Sequence, residues 1–182
     1  MTRPLPLPLP LFCQIAAGLA LTLGLSGCGL HPLYAGGSSG PVASALSQIE
    51  VAPIQGKAGW LMANALSDRL GGKNGTARYR LDVKLDDQIR GLGVRRDDSV
   101  VRERRILRAR YQLVDQTSNA VLVDATAGSD AGIDVVRSEY ATIAAENTAL
   151  ERLSVIVADE IVARLATYAR SRPGESMVSA RP

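Results

Sequence analysis

Apolar residues recur along this chain with two different periods. Tyr79, Leu81, Val83 and Leu85 alternate with Arg80, Asp82, Lys84 and Asp86, so Tyr79 to Ile89 predicts a strand with one apolar and one charged face. The same period runs through Val101 to Val114, with Leu107, Ala109, Tyr111 and Leu113 on the apolar side. After a turn at Thr117-Ser118-Asn119, Ala120 to Ala127 predicts another strand burying Val121, Val123 and Ala125. An earlier strand is expected over Leu46 to Ile54, where Ile49 and Val51 share a face and Pro53 limits the end. Helical spacing appears twice. Met62, Leu66 and Leu70 make one side of a helix over Ala58 to Leu70, which Gly71-Gly72 stops. Leu150, Leu153, Val157, Ile161, Leu165 and Tyr168 form the stripe of a long helix from about Ser138 to Tyr168, ended by Arg172-Pro173-Gly174. The order β-α-β-β-β-α predicts an α/β chain of the α+β type: a sheet with one buried face and two helices to cover it.

Ahead of these elements the pattern changes. Arg3, a Pro-Leu run from Pro4 to Pro10 and an apolar stretch from Leu11 to Leu25 suit a signal peptide and are too short for a spanning helix. The stretch ends in Leu25-Ser26-Gly27-Cys28, which resembles the bacterial lipobox. That resemblance implies a diacylglycerol on the Cys28 sulfur, cleavage before Cys28, and a further acyl chain on its new amine. Two or more chains make a stable membrane anchor. The expected organisation is a removed leader over 1–27, lipidated Cys28 with a tether over 28–45, one globular domain over 46–170, and a disordered tail over 171–182. Gly29 follows the cysteine. Aspartate there retains enterobacterial lipoproteins in the inner membrane, so Gly29 points to the outer membrane.

Removing 27 of 182 residues leaves 155, enough for one domain with one core. Cys13 leaves with the leader and Cys28 is taken by lipid, which excludes a disulfide within the mature chain and any cysteine metal site. The one histidine, His31, lies on the tether, where no base or metal site can hold it. No G-x-S-x-G, H-E-x-x-H or phosphate-binding glycine loop occurs, and Gly91-Leu92-Gly93 is too short to be one. Asp86-Asp87 and Asp97-Asp98 are candidate carboxylate pairs, but strand ends and loops collect such residues anyway. Neither an enzyme, nor a metal, nor a cofactor beyond the acyl groups is expected. Trp60 opens the first helix either as a packing residue or as a partner contact.

The mature chain carries 20 Lys and Arg against 18 Asp and Glu, a balance that by itself predicts no partner. The distribution says more. Arg102, Arg104, Arg108 and Arg110 share the polar face of one strand, with Ile106 among them. If this strand pairs with the preceding one, Asp82 and Asp86 can neutralise part of the ladder but not all of it, because Arg80 and Lys84 share the face. A solvated, partly paired face is one reading. The other is a binding face for an anionic glycolipid or an acidic protein surface, since an arginine fork grips phosphate with two bonds. Nucleic acid is disfavoured, because no stacking aromatics interleave the basic residues. Arg95 and Arg96 belong to the same region but are balanced by Asp97 and Asp98.

Taken together, several stretches resemble the lipopolysaccharide-assembly lipoproteins called LptE, in the form found in alphaproteobacteria. They are Cys28-Gly29-Leu30-His31-Pro32-Leu33-Tyr34, Ile49-x-Val51, Asn64-x-Leu66, Tyr79-x-Leu81-x-Val83, the arginine-rich strand ending Tyr111-x-Leu113-x-Asp115, and the alanine-rich last helix. The resemblance implies two helices on a four-stranded mixed sheet. It implies a non-enzymatic outer-membrane component that plugs the LptD β-barrel, helps it fold and assists lipopolysaccharide delivery. Of the family's functional residues, Cys28 alone carries over; Arg102, Arg104, Arg108 and Arg110 are physical candidates for lipopolysaccharide contact. The alternative is a lipoprotein subunit of an ABC-type phospholipid transport system, against which the Cys28 to Tyr34 start counts.

Overall fold

The computed structural model describes residues 40–71, 77–94 and 100–171. The leader, Cys28, His31, the Cys28 to Tyr34 start, Arg95, Arg96, Asp97, Asp98 and the tail from 172 lie outside the described residues. The elements are α1 (Pro41–Leu46), β1 (Ile49–Val51), α2 (Gly56–Leu70), β2 (Tyr79–Val94), β3 (Val100–Asp115), β4 (Val121–Asp134) and α3 (Glu139–Ser171). The strands lie in the order β1-β2-β3-β4, with β1 parallel to β2 and the other pairs antiparallel. This is the expected mixed four-stranded sheet, and β2 and β3 form the expected hairpin.

The period-two pattern decides which face is buried. Odd-numbered residues of β2 and β3 face the helices, and Leu81, Leu107, Ala109 and Tyr111 are at most 1% exposed. From the other side α2 contributes Met62 and Leu66, and α3 contributes Leu150, Leu153, Val157, Ile161 and Leu165, all nearly free of solvent contact. The two helices lie side by side and run the same way. Lys57 donates to Asn147 at 2.7 Å near their starts, and Arg69 pairs with Asp159 further along. Gly71 ends α2 in the left-handed conformation, φ 87°, with its N–H on the Ser67 carbonyl, as the glycine pair predicts.

Four boundaries differ from the sequence reading. Residues 41–46, expected in the tether and the first strand, form α1. Pro41 is at home in a first helical turn, and Val42 and Leu46, four apart, both enter the core. β1 is accordingly three residues, although Ala52 still donates to the Leu81 carbonyl at 3.0 Å. β2 continues past Ile89, where the predicted strand ends, to Val94. β4 continues seven residues past Ala127 to Asp134. Both extensions are interrupted by glycines, Gly91 and Gly93 in one and Gly128 and Gly132 in the other, which lowers their own strand propensity. Pairing with the arginine-rich part of β3 holds them extended.

Candidate anion-binding face

The even-numbered residues of β2, of β3 up to Gln112 and of β4 from Asp124 onward project from the sheet face opposite the helices; a register shift at Leu113/Val114 breaks the parity before Asp124. Strand register fixes their neighbours. Arg110 lies opposite Lys84 and Thr126, Arg108 opposite Asp86 and Gly128, Arg104 opposite Arg90 and Gly132, and Arg102 opposite Leu92 and Asp134. The ladder expected from the sequence is therefore present, and all four arginines are exposed on one face.

It is neutralised further than the hairpin alone allows. The expected deficit of carboxylates was counted from β2 alone, and β4 supplies three more. Arg102 pairs with Asp134 at 3.0 Å, Arg104 with Asp130 at 3.5 Å and Arg110 with Asp124 at 2.9 Å. Asp124 also accepts from Gln112 at 2.8 Å. The Arg110 and Gln112 hydrogen bonds hold its carboxyl below the usual carboxylate range. On β2, Arg80 grips Asp82 at 3.0–3.2 Å, and Gln88 donates to both oxygens of Asp86 at 3.0 Å. These pairs stand in solvent and are screened by salt, so they orient the side chains more than they stabilise the fold. Arg80, Lys84, Arg90 and the four ladder arginines face Asp82, Asp86, Asp124, Asp130 and Asp134, which leaves a net of two positive charges on the sheet.

Arg108 differs from its three companions. Among the described residues it makes no ion pair, and Asp86 opposite it is taken up by Gln88. Its stem crosses β4 at Gly128. A Cβ at Gly128 would come within 3.2 Å of both the Arg108 Cγ and the Leu107 carbonyl oxygen. The result is an open depression of about 540 Å³ around Lys84, Asp86, Arg108, Arg110, Gly128 and Glu160. Glu160 reaches it from α3 and accepts from the Gly128 N–H at 3.2 Å. The depression offers an unengaged guanidinium, with Lys84 nearby, to an anionic group; the surrounding carboxylates restrict it to an anion that reaches the fork from outside the sheet.

Other candidates separate cleanly. Asp86 and Asp87 point to opposite faces, since Asp86 meets Gln88 on the open face and Asp87 meets Arg105 on the helix face. They cannot act as a carboxylate pair. Among the described residues no group of three or more His, Cys, Asp or Glu side chains is placed to hold a metal. Trp60 is 65% exposed, which removes its core reading and keeps the partner-contact reading. A smaller cavity of about 260 Å³ lies at the other end of the sheet between Ile49, Leu113, Leu122, Leu165 and Tyr168. Sequence reasoning missed Asp130 and Asp134 because Gly128 to Asp134 carries glycines and serine and resembles a loop, and it missed Asp124 because the charge count took in only the β2–β3 hairpin.

Comparison with known proteins places this architecture. The family model LptE, described as lipopolysaccharide-assembly, matches residues 46–165. The chain belongs to the LptE family. Its match spans β1 to the last turns of α3, so it takes in the whole sheet and both packed helices. Among solved structures, a lipoprotein candidate from Caulobacter crescentus CB15 is similar at 26% identity and TM-score 0.63, over 72% of this chain and 98% of that one. Lipoprotein B from Nitrosomonas europaea is similar at 14% identity and TM-score 0.52, over 68% and 83%. The rare lipoprotein B from Shewanella oneidensis is similar at 14% and 0.51, over 69% and 96%. These last two share the fold. No curated relative matches the chain in sequence. Among the described residues no helix is long and apolar enough to cross a membrane, so the described part of this LptE-family chain carries no helical membrane span.

Proposed function

We propose that this chain is an outer-membrane lipoprotein, acylated on Cys28, that occupies the lumen of an LptD β-barrel and assists both barrel assembly and lipopolysaccharide transport to the cell surface. The observation that carries the reading is the LptE family match across the folded domain. The chain makes and breaks no bonds in this role. Its mechanism is partner binding plus electrostatic handling of phosphate.

The charged sheet face supports the reading. Barrel lumens are polar, and a face on which arginines alternate with aspartates across three strands can exchange its own weak pairs for pairs with a polar wall. Arg108, with Lys84 beside it, is the residue that meets a lipid A phosphate; Arg102, Arg104 and Arg110 must first release an aspartate. Exposed Trp60 is a further contact for the barrel wall. The acyl chains on Cys28 fix the depth of the domain relative to the membrane.

The test is an affinity pull-down of the tagged, acylated chain from detergent-solubilised outer membranes, read by mass spectrometry. A large β-barrel recovered in stoichiometric amount is expected. Recovery with permease, ATPase and lipid-shuttle subunits and no barrel would overturn the reading in favour of a phospholipid-transport subunit.

A further inference from the structure

The far half of the β2–β3 hairpin, which bears Arg102 and Arg104, is joined to the start of α3 by one buried polar contact. Arg105 points inward with the apolar residues of β3 and is 9% exposed. Its Nε and Nη2 donate to the two oxygens of Asp87 on β2 at 2.8 and 2.5 Å, and its Nη1 donates to the Glu146 backbone carbonyl of α3 at 2.8 Å. One guanidinium thus ties both strands of the arm to the helix.

Two residues further along the same face is Glu103. One of its carboxyl oxygens is shut off from water and has no hydrogen-bond partner. The carboxyl with which Glu103 interacts is that of Glu146, on the helix turn that Arg105 binds. Two carboxylates in contact repel, and a buried oxygen with nothing to bond is costly. A single proton cures both faults, because a protonated Glu103 can donate to Glu146. Burial and the neighbouring Glu146 hold the Glu103 carboxyl above the usual carboxylate range. The other charges at the joint are Asp87 from β2, Arg105 from β3 and Lys57 from α2, whose amine bonds Asn147 one residue past Glu146. Across from Glu103, β2 presents Gly91 and β4 presents Ile133, while Asp134 turns to the opposite face and binds Arg102.

We propose that a proton shared between Glu103 and Glu146 latches the β2–β3 arm onto the head of α3, with Arg105 as the fixed joint, and that losing this proton loosens the arm. The closed state binds the proton more tightly than the open state. The latch is therefore fully made below the ordinary glutamate pKa and is lost as pH rises through the raised value. Its consequence is a proton-dependent setting of the angle at which Arg102 and Arg104 are presented.

The experiment needs neither barrel nor lipopolysaccharide, so its failure would leave the proposed function standing. Hydrogen exchange is followed by mass spectrometry on the full acylated chain in detergent, with peptides over 86–94 and 139–150 as reporters and 157–166 as the reference. Between about pH 5 and about pH 8, after correction for intrinsic rates, protection in both reporters should fall by up to about tenfold per unit of the closed-state pKa rise. The reference should not change. Glu103→Gln keeps a donor for Glu146 and cannot ionise, so its reporters should be protected and independent of pH. Should that variant fail to fold, Glu146→Gln carries the same expectation. Reporter protection independent of pH in the wild type would overturn the latch, as would an unchanged pH dependence in the folded variant.

Discussion

Replacing Arg105 by methionine removes the guanidinium and keeps most of the apolar stem. Three hydrogen bonds go with it, two to Asp87 and one to the Glu146 carbonyl. The Arg105 and Asp87 side chains are 11% and 24% exposed, between a fully buried pair and a surface pair. Breaking a buried pair costs about 3–5 kcal/mol, and an exposed pair contributes up to about 1 kcal/mol. Interpolating, Arg105→Met should cost about 2 kcal/mol and Asp87→Asn somewhat less, roughly 1.5 kcal/mol. In a double-mutant cycle the two losses should overlap by about 1 kcal/mol, because each variant removes the same pair of bonds. Urea unfolding at neutral pH reads this directly. With a slope of about 2 kcal/mol per molar, Arg105→Met should lower the midpoint by about 1 M. A coupling energy below about 0.5 kcal/mol would show that Arg105 and Asp87 stabilise the fold independently, and the joint described above would lose its basis.

Three further outcomes follow from the geometry. Arg108→Ala should weaken binding to lipopolysaccharide vesicles several-fold at low salt, about 1 kcal/mol or more, whereas Arg104→Ala, whose fork is already held by Asp130, should change it by less than about twofold; equal losses in a vesicle titration would remove the distinction between free and engaged arginines. The Asp115 carboxyl is held below the usual carboxylate range by the Thr117 and Ser118 N–H groups, at 2.8 and 3.2 Å. Its stabilisation is therefore present above the ordinary carboxylate pKa and lost as pH falls through the lowered value, so Asp115→Asn should flatten the acid side of a melting-temperature profile. Leu153→Ala, at a position 1% exposed, should cost about 2–5 kcal/mol and lower Tm by roughly ten degrees, while Val155→Ala, 43% exposed on the same helix, should stay within about 0.5 kcal/mol in the same thermal melts.

What could be read from the chain alone was whatever a local period encodes. The stripe from Leu150 to Tyr168 and the alternation from Tyr79 to Leu85 each repeat often enough to specify element and buried face together. Gly71 marked its helix end because a left-handed residue is needed there. Gly128 to Asp134 carried no such signal. Its backbone is extended because β3 offers a register, and its aspartates matter because that register sets them against arginines. The charge of the sheet face is thus a property of three strands at once, and counting residues on one hairpin overstated it. The parity of β3 puts Arg105 on the inner face, but its tie to Glu146 joins positions 41 residues apart and depends on where α3 begins.

The course of the chain has one more consequence. Residue Ala45 of α1 and residue Ala169 of α3 border the same small cavity, so the first and last described elements meet at one end of the sheet. β2 runs away from that end for 16 residues, about 50 Å at the usual rise per residue of a strand. Under the proposed anchoring through Cys28 the domain is held by this end, and the far ends of β2 and β3 point away from it. A fusion or affinity tag placed after α3 would sit at that same end and leave the far end of the hairpin open to whatever approaches it.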